Sequence, residues 1–565
     1  MGTEHMIATG NYLATAAGFQ VLQQGGNAID AGVASGIALN ITIAEQTNIA
    51  GVAPIMIYRA DTGQVHSISG VGPWAKSTDL ESYIRRYNRT IPRGMARAVV
   101  PAACDAWLTA LERFGTMSFE QVVAPAVELC ERGLPVSRRM ERIIEMQKEF
   151  ISEHPTSSSI FMPGGRCPKV GERLCQEDMG RTFRRMIDAE RGSAHKSREE
   201  GIRAARDLFY MGEIAEEMVR FCQEQGGLLE MDDLASFHVQ VETPQTTSYR
   251  GYSVYTAGPW CQGPALVQVL NLLEGFDLQG MGHNSAQYVH TLVEAIKVAF
   301  ADRHQYYGDP DIIEVPIAGL TTKEYADHRR EGIDSKAAWP EMPSPGNPWP
   351  FEGKNRTVNA IPAVPLSGRS EPDTAYTCVV DRWGNAFSGT PSDAFTSTPI
   401  VPGVGVSISG RGGQSWLDPD NPNCLGPGKR PRMTPCAAIV LKDGRLFMPF
   451  GSPGEDMQVQ AQVQVLLNIV EFGFDPQQAV EEPRFRTTSF PGSGWPHPYA
   501  PGELSVEGRV DADVVRSLQD MGHKVSVRDD WMLIAGSPCA IVVDHERGAL
   551  IAGAAPHRES YAIGW

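Results

Sequence analysis

The chain has 565 residues, 42% of them hydrophobic, so it can bury a substantial core. Its net charge of −17 opposes nonspecific binding to nucleic acid or to an anionic membrane. No apolar run of about 18 residues occurs, and the first residues lack the basic flank and apolar core of a signal peptide, so we expect a cytoplasmic protein.

The first part of the chain is predicted to alternate helices and strands. Its apolar spacing, glycine stops and capping residues predict the following elements in chain order: a helix over 12–24 that stops at Gly25-Gly26, an Ala-rich helix from Ala28 to about Asn40, a hairpin of strands 54–59 and 64–69, and a helix that opens at the capping box of Ser118 and Gln121 and ends near Gly133. Farther along, residues 284–303 are predicted to form a long amphipathic helix.

A Pro-rich, weakly patterned segment over residues 335–372 ends at a predicted strand–turn–strand unit. The run Asp373-Thr374-Ala375-Tyr376-Thr377-Cys378-Val379-Val380 is rich in β-branched and aromatic residues, and it reaches a polar turn over 381–385 before a second strand. Thr374 therefore lies at the head of a predicted buried strand, directly after a segment that can be cut. This is the layout of a self-processing enzyme with an N-terminal nucleophile.

Cleavage between Asp373 and Thr374 would give Thr374 a free amine beside its own hydroxyl. A threonine hydroxyl is a poor nucleophile until a base takes its proton, and a terminal amine is such a base. A peptide nitrogen is not, because its lone pair is delocalised into the carbonyl. The alternative is that Thr374 is simply a β-forming residue that starts a core strand.

After this region, the sequence predicts a second hairpin followed by a helix. Residues 437–441 and 446–449 pair across Lys442-Asp443-Gly444, an Asp-Gly turn signal, and residues 458–470 are helical. The segment Gly451-Ser452-Pro453-Gly454 joins the hairpin to the helix, where backbone N–H groups can point into a cleft.

Ten cysteines are scattered along the chain, at positions 104, 130, 167, 175, 222, 261, 378, 424, 436 and 539. No C-x-x-C pair or Cys/His cluster indicates zinc, so we expect reduced thiols and neither a metal nor another cofactor. Cys261 lies in the Pro- and Gly-rich loop 258–264, and to act as a nucleophile it would need a histidine partner that the sequence does not identify.

Taken together, the motifs of this chain resemble the γ-glutamyltransferase family, whose small subunit begins with the catalytic threonine. The matching segments follow the family order: Gly25-Gly26-Asn27-Ala28-Ile29-Asp30-Ala31, Ala301-Asp302-Arg303, Gly308-Asp309-Pro310, Thr374 with Val379-Val380-Asp381 and Gly384-Asn385-Ala386, Leu417-Asp418-Pro419, Pro427-Gly428-Lys429-Arg430-Pro431, and Gly451-Ser452-Pro453-Gly454. The resemblance runs nearly end to end.

This resemblance implies an α+β fold, the four-layer αββα sandwich of the N-terminal nucleophile hydrolases, made from both halves of a cleaved precursor. The large subunit would be residues 1–373, with the Pro-rich linker over about 335–373 at its end, and the small subunit residues 374–565. The two would form one compact domain and an obligate heterodimer, with a dimer of these as a further option. The implied partner is a small-molecule amide.

The resemblance also implies roles for four residues. Thr374 matches the nucleophile, and Ser392 matches a second threonine that hydrogen-bonds to it. Gly454 matches the first glycine of the oxyanion hole, whereas Glu455 replaces the second. A glutamate keeps its N–H but tolerates unusual backbone angles less well than glycine. The alternative for Gly454 is an ordinary loop glycine before a helix.

Six positions that hold the γ-glutamyl group in the family differ here. Gly70 replaces the arginine that binds the α-carboxylate, Met433 and Thr434 replace two serines that contact the same carboxylate, and Ala394 replaces an asparagine that assists recognition. Gly413 and Gln414 replace the acidic pair that binds the α-amino group, in a loop whose alignment can shift by one. A zwitterion is not bound tightly without its bidentate arginine and its carboxylate partner. We therefore expect an acyl group other than γ-glutamyl.

Arg411 is a candidate replacement for the missing arginine. Gly410-Arg411-Gly412 resembles the Asn-Arg-Gly of a broader branch that is similar to oxamate-type amidohydrolases and to acylases acting on β-lactam side chains. Arg411 would bind a carboxylate or oxo group of a different acyl donor, or else it is a structural arginine paired with a local acid. The Gly, Pro, Trp and Cys residues of loop 258–264 predict a more apolar acyl pocket.

The predicted function is that of a self-processing amidohydrolase that cleaves a small-molecule amide through an acyl-Thr374 intermediate. One alternative is a γ-glutamyl hydrolase or transpeptidase that acts on glutathione-like compounds through unrelated residues. Another is a catalytically silent homologue that serves as a binding protein. Glu455 and the lost specificity residues favour the silent homologue, whereas Thr374 and the linker before it oppose it.

Overall fold

The computed structural model describes residues 1–368 and 373–565, in which two large antiparallel sheets lie face to face with helices against both outer faces. This is the four-layer αββα sandwich of an α+β protein, as the sequence predicts. Strand Thr377–Val380, which follows Thr374, lies inside one of the large sheets. That sheet is called the nucleophile sheet below, and the other is called the second sheet.

Each large sheet contains strands from both sides of Asp373. The nucleophile sheet has seven strands, in spatial order Tyr561–Gly564, Met6–Thr9, Thr377–Val380, Ala386–Gly389, Ile55–Arg59, Gln64–Ile68 and Val241–Glu242. The second sheet has six, in spatial order Ala549–Ala554, Cys539–Asp544, Arg445–Gly451, Ala437–Lys442, Tyr252–Thr256 and Gln245–Tyr249. Two small sheets hold strands Phe485–Thr487, Glu503–Val506 and Lys524–Val527, and strands Leu134–Pro135 and Arg173–Leu174.

The alternation of side chains along the strands produces three cores between four layers. In strand Thr377–Val380, Val379 packs against the helices that cover the nucleophile sheet, whereas Cys378 and Val380 face the second sheet. In strand Ala437–Lys442, Ala437 and Ile439 face the nucleophile sheet, and Ala438 and Val440 face the other helical layer. Because successive side chains point to opposite faces, strands that are buried on both faces read as continuous apolar runs.

Helices of the first layer come from residues before 240, and those of the second layer come from later parts of the chain. In chain order, the helices are Tyr12–Gln23, Ala28–Thr42, Leu80–Arg86, Ala103–Phe114, Phe119–Arg132, Arg138–Met146, Lys148–Glu153, Pro155–Phe161, Glu177–Ser193, Arg198–Tyr210, Glu213–Glu224, Met231–Ala235, Gly263–Leu273, Leu278–Met281, Ala286–Tyr306, Ile317–Leu320, Lys323–Arg330, Met457–Val470, Pro476–Glu481 and Ala512–Asp520. Short 3₁₀ turns occur at Met95–Arg97, Pro163–Gly165, Trp349–Glu352, Arg411–Gln414 and Leu533–Ala535.

The predicted local elements are confirmed to within three residues at their ends, including both hairpins and the capping box of Ser118 and Gln121. The largest differences are that strand Thr377–Val380 begins three residues after Thr374 and that the helix predicted to end at Arg303 ends at Tyr306. The prediction of an amphipathic helix over 284–303 is wrong in one respect. Helix Ala286–Tyr306 is buried on almost every face, because it packs against helix Gly263–Leu273 and is covered by the Pro-rich segment that follows it. Polar residues such as His290 and Lys297 are bonded to buried partners, so they do not mark an exposed face.

The Pro-rich segment runs over residues 335–368 with one short 3₁₀ turn and a single bridge, between Leu366 and Tyr499. Its last residues, 369–372, lie outside the described part of the chain. All ten cysteines are free thiols, eight of them buried. Across residues 1–368 and 373–565, no helix combines the length and the apolar character needed to cross a bilayer.

Candidate active site

Thr374 is completely buried, three residues before strand Thr377–Val380 begins. Its Oγ1 lies 2.8 Å from Oγ of Ser392, which is also fully buried. The two residues are aligned by the chain around them, since the N–H of Ala375 donates to the carbonyl of Pro391 at 2.9 Å. The sequence match of Ser392 to a hydroxyl partner of Thr374 thus corresponds to a direct side-chain contact.

The hydroxyl of Thr374 also lies against the peptide bond that joins it to Asp373. It donates to the carbonyl oxygen of Asp373, and Ser392 Oγ lies 3.2 Å from the same oxygen. The chain is continuous at this bond in the structure. Two hydroxyls therefore contact the carbonyl of the peptide that the sequence predicts to be cut.

Arg411 is buried beside this bond and holds two carboxylates. Its Nη2 donates to Asp373 Oδ1 at 2.6 Å and to Ser392 Oγ, and its Nε lies 3.1 Å from Asp393 Oδ1. Burial raises the pKa of the Asp393 carboxyl, and the guanidinium of Arg411 opposes that rise. The Ser409 hydroxyl adds a 2.6 Å hydrogen bond to Asp393, which fixes the orientation of the Arg411–Asp393 pair.

The loop before helix Met457–Val470 has unusual backbone angles at two successive residues. Gly454 has a φ of 126° and Glu455 a φ of 53°, so the glutamate adopts the left-handed conformation that favours glycine. Gln262 Nε2 donates to the carbonyl of Glu455 at 2.9 Å and to that of Thr434 at 3.0 Å. Because Gln262 holds the carbonyl of Glu455, the peptide unit that begins at this carbonyl has a fixed orientation.

Arg303, from the Ala301-Asp302-Arg303 segment, anchors the same loop from the other side. Its guanidinium donates to Gln262 Oε1 at 3.1 Å and forms an ion pair with Asp456, the residue after Glu455. Asp456 in turn accepts a 2.8 Å bond from the N–H of Ser493. A segment more than 150 residues away in sequence therefore positions the candidate oxyanion loop.

A cavity of about 160 Å³ lies at this site, and its lining is strongly charged. The lining residues in the described part of the chain are Ile91, Arg93, Arg97, Asp373, Asp393, Ser397, Gly410, Arg411, Gly413, Gln414, Glu455, Gly494 and Trp495. The prediction of a more apolar pocket is therefore wrong. Trp260 and Cys261, on which that prediction depended, are packed in the core between the second sheet and its helices.

The thiol of Cys261 is unsuited to act as a nucleophile. It is completely buried and donates to the carbonyl of Gly258 at 3.4 Å. Burial raises its pKa to about 12, so the thiolate is not formed at neutral pH. Its neighbour Gln262, which holds the loop at Glu455, is the residue of this segment that reaches the site.

The residues predicted to bind substrate are only partly brought together. Gly413 and Gln414 line the cavity, and the Gln414 side chain accepts from the N–H of Thr434 at 3.1 Å. Met433 instead packs in the hydrophobic core behind the second sheet. Although they are adjacent in sequence, Met433 packs in the core, whereas Thr434 contacts Gln414 at the cavity.

Gly70 lies against the backbone of a neighbouring segment. A Cβ placed on Gly70 would be 1.9 Å from the carbonyl oxygen of Ala53, and Gly70 accepts a 2.8 Å hydrogen bond from the N–H of Ala53. No side chain fits at this position unless the backbone moves. The close approach of two chain segments therefore accounts for the glycine at this position, which the sequence resemblance matches to an arginine.

A second, larger cavity of about 800 Å³ adjoins the first, and Arg93 lines both. Its lining includes the aromatic residues Tyr87, Phe150 and His154. The Arg93 side chain is held between the two cavities by a 3.0 Å bond to Gln147 Oε1 and a 2.5 Å bond to the carbonyl of Thr396. A small charged cavity beside Asp373 thus has a wider one with aromatic walls as its neighbour, on the other side of Arg93.

Three residues of the site are absent from the sequence-based prediction. Asp393 holds Arg411, Gln262 holds the loop at Glu455, and Arg558 donates to the carbonyl of Thr374 at 3.3 Å. Asp393 lies between the predicted residues Ser392 and Ala394, so its position was a usable signal. Arg558 lies near the end of the chain, and nothing in its local sequence indicates its contact.

One buried group of described side chains has the spacing of metal ligands. The ligand atoms of His290, Glu294 and His523 all lie within 4.8 Å of one another. They also satisfy one another, because His290 Nδ1 and His523 Nε2 share a 2.9 Å hydrogen bond and Glu294 pairs with the Lys297 ammonium at 2.7 Å. A metal at this position would have to displace both interactions and lie near the charge of Lys297.

Comparison with known proteins places these features in context. The family model described as Gamma-glutamyltranspeptidase matches residues 14–565. The Glutathione hydrolase-like YwrD proenzyme of Bacillus subtilis (strain 168) is 32% identical over 568 residues, which covers 100% of this chain and 99% of the relative.

Solved structures also match this chain over its full length, among them the following two. The structure of LmbA2991HD has a TM-score of 0.93 and 35% identity, and the match covers 100% of this chain and 98% of that chain. The crystal structure of cephalosporin acylase from Bacillus halodurans has a TM-score of 0.86 and 27% identity, with 100% and 96% covered. Both agree with the four-layer arrangement described above.

Proposed function

From the premise that this chain belongs to the gamma-glutamyltranspeptidase family, a family of amidohydrolases and acyltransferases, we propose that it processes itself at Asp373–Thr374 and then hydrolyses a small-molecule amide through an ester on Thr374. Residues 1–373 and 374–565 remain assembled as large and small subunits. The name of the Bacillus subtilis relative, a proenzyme, agrees with a cleaved precursor.

A single observation carries this proposal. The Thr374 hydroxyl lies against the carbonyl of Asp373 and 2.8 Å from the Ser392 hydroxyl, inside the protein. A buried hydroxyl that only caps a strand would need one acceptor. Here a second hydroxyl, that of Ser392, contacts the same carbonyl, and the guanidinium of Arg411 holds that hydroxyl and the Asp373 carboxylate. This arrangement is suited to acyl transfer at the bond between Asp373 and Thr374.

In the self-processing step, Thr374 Oγ adds to the Asp373 carbonyl carbon and the C–N bond to Thr374 breaks. The hydroxyl proton passes to the departing nitrogen, which becomes the free α-amine of Thr374. Water then hydrolyses the ester and leaves an α-carboxylate on Asp373 and a hydroxyl on Thr374. The reaction needs only the chain and one water molecule, and it creates the base that later turnover requires.

In turnover, the Thr374 amine takes the hydroxyl proton as Oγ attacks the substrate carbonyl. The N–H groups of Gly454 and Glu455 are the proposed donors to the oxyanion, in a loop that Gln262 and Arg303 hold in place. The protonated amine then gives its proton to the leaving amine. Water releases the acyl group from Thr374 and restores the hydroxyl.

The absence of the family arginine at position 70 supports an acyl group other than γ-glutamyl, because the backbone of Ala53 leaves no room for a side chain there. The cephalosporin acylase among the matching structures shows that relatives act on other amides. The competing function is γ-glutamyl hydrolysis or transfer, which the name of the Bacillus subtilis relative favours. Turnover of γ-glutamyl-p-nitroanilide would distinguish these two.

The test of self-processing is the intact mass and the N-terminal sequence of the purified chain. We expect two fragments, with the smaller one starting Thr-Ala-Tyr, and a single uncut chain for Thr374→Ala. Thr390→Ser is a matched control, because Thr390 is also a fully buried threonine of this region. An uncut wild-type chain after prolonged incubation would overturn the proposal and favour a silent homologue that binds a partner without catalysis.

A further inference from the structure

The carboxylate of Asp373 occupies the charged cavity in the way a bound ligand would. Arg411 Nη2 donates to its Oδ1 at 2.6 Å, and the N–H of Ala394 donates to its Oδ2 at 3.2 Å. Ser392 Oγ adds a third contact, to Oδ1 at 3.2 Å. Both carboxylate oxygens are therefore held, on a residue that is 8% exposed.

The position of the Asp373 carboxylate bears on substrate binding because of the ester that self-processing forms. That ester joins the carbonyl carbon of Asp373 to Thr374 Oγ. The acyl-enzyme formed later from a substrate is an ester on the same oxygen. In this second ester, the acyl group of the substrate takes the place that Asp373 has in the first. The groups that contact Asp373 in the uncleaved chain are then available to contact the acyl group of the substrate.

In the uncleaved chain, the buried guanidinium of Arg411 has two carboxylate partners, Asp373 and Asp393. Once cleavage frees Asp373 to leave as the end of the large subunit, Arg411 loses the first of them. Asp393 stays and keeps Arg411 oriented. A buried guanidinium that loses one partner has strong reason to bind another carboxylate.

We propose that the acyl group accepted by this enzyme is a short dicarboxylic one of succinyl length, whose free carboxylate takes the position that the Asp373 carboxylate holds in the uncleaved chain. This inference rests on the proposed function. In an aspartyl group, two carbon atoms separate the carbonyl carbon from the side-chain carboxylate, and succinyl has the same separation. The 160 Å³ of the cavity suits such a small group, and the leaving amine extends into the neighbouring cavity of about 800 Å³.

The test compares four p-nitroanilides on the processed wild-type protein: succinyl, butyryl, glutaryl and γ-glutamyl. Butyryl has the carbon chain of succinyl without its charge. We expect kcat/KM for the succinyl compound to exceed that for butyryl about 30-fold, as a charge-assisted hydrogen-bonded pair implies, and to exceed that for glutaryl. Equal or faster turnover of butyryl, glutaryl or γ-glutamyl by a cleaved enzyme overturns the inference and leaves the proposed function standing.

A binding measurement covers the case in which p-nitroaniline is a poor leaving group for this site. Titration calorimetry of the processed protein with succinate and with butyrate should give at least tenfold tighter binding of succinate. Equal binding of the two acids would overturn the inference. A chain that fails to cleave itself would overturn the proposed function, and the inference with it, so the two failures are distinguishable.

A further test of the inference uses the variant Arg411→Lys. We expect it to lower kcat/KM for the succinyl compound about tenfold more than for butyryl, because lysine keeps the charge but loses the fork that bridges Asp393 and the ligand. Arg356→Lys is the control, since Arg356 forms an exposed pair with Glu314. An equal loss for both substrates would assign Arg411 a structural role only and would count against the inference.

Discussion

The hydroxyl oxygens of Thr374 and Ser392 lie 2.8 Å apart, and both side chains are fully shielded from solvent. Neither residue belongs to a strand. Thr374 precedes strand Thr377–Val380 and Ser392 follows strand Ala386–Gly389, so the antiparallel pairing of these two strands brings the residues side by side. This pair is the centre of the candidate site, and the following predictions begin from it.

Ser392→Ala should slow self-cleavage and later turnover about 10- to 100-fold. The variant removes the hydroxyl that orients Thr374 Oγ and contacts the Asp373 carbonyl, and it leaves part of the buried charge of Arg411 without an acceptor. The measurement is the rate at which the small fragment appears after dilution from denaturant.

Ser388→Ala is the matched control for this variant, because Ser388 is a buried serine whose hydroxyl contacts Tyr376 and not Thr374. It should lose about 1 kcal/mol of stability and keep its cleavage rate. Equal cleavage rates for the Ser392 and Ser388 variants would remove Ser392 from the catalytic machinery.

Glu455→Gln should raise kcat about three- to tenfold. Burial lowers the pKa of Arg411, whereas the carboxylates of Asp373 and Asp393, and to a smaller extent that of Glu455, raise it above its usual value. A Glu455 carboxylate within reach of Arg411 also opposes negative charge that develops at the oxyanion loop. Glu455→Gly removes the same charge and also suits the φ of 53°. Steady-state kinetics on both variants distinguishes the effect of the charge from that of the backbone conformation. An increase in kcat for Glu455→Gly alone would assign the effect to the backbone.

Gly70→Ala should destabilise the protein by about 1–3 kcal/mol, because its Cβ would be 1.9 Å from the carbonyl oxygen of Ala53. The melting temperature measures this loss. Gly192→Ala is the control, since Gly192 is helical and has open space around it, and it should be neutral or stabilising. An unchanged melting temperature for Gly70→Ala would show that this backbone yields, and the explanation for the missing arginine would then fail.

Glu45→Gln should change how stability depends on pH. Burial raises the pKa of the Glu45 carboxyl to about 7, with Arg139 opposing. Because the folded-state pKa is above the unfolded one, this group contributes stability that is fully present below pH 4.5 and is lost as pH rises to about 7. The free energy of unfolding of Glu45→Gln, relative to that of the wild type, should therefore rise between these two pH values by on the order of 3 kcal/mol.

The measurement is the melting temperature of both proteins from pH 4.5 to pH 8.5. Glu128→Gln is the control, because the Glu128 side chain is 55% exposed on a helix surface. A constant difference between the wild type and Glu45→Gln across this range would contradict the raised pKa of Glu45.

Much of the fold was predictable because its signals are local. The helix at Ala28 begins at an Asn27–Asp30 capping box, and the turn of the second hairpin carries Asp443 and Gly444 in left-handed conformations. Helix Ala286–Tyr306 shows the limit of such signals. Its sequence alternates polar and apolar residues, but the burial of its polar side chains depends on partners that are distant in sequence.

By itself, the sequence determined the layered α and β pattern, the position of Thr374 before a buried strand and the likeness of its motifs to one family. Only the tertiary structure decided the charge of the cavity beside Asp373. Arg411 meets Asp373 across 38 positions, Gln262 meets Glu455 across 193, and Gly70 meets the backbone of Ala53. Local propensity and patterning act over a few residues, whereas the field and shape of a cavity are set by groups that only folding brings together.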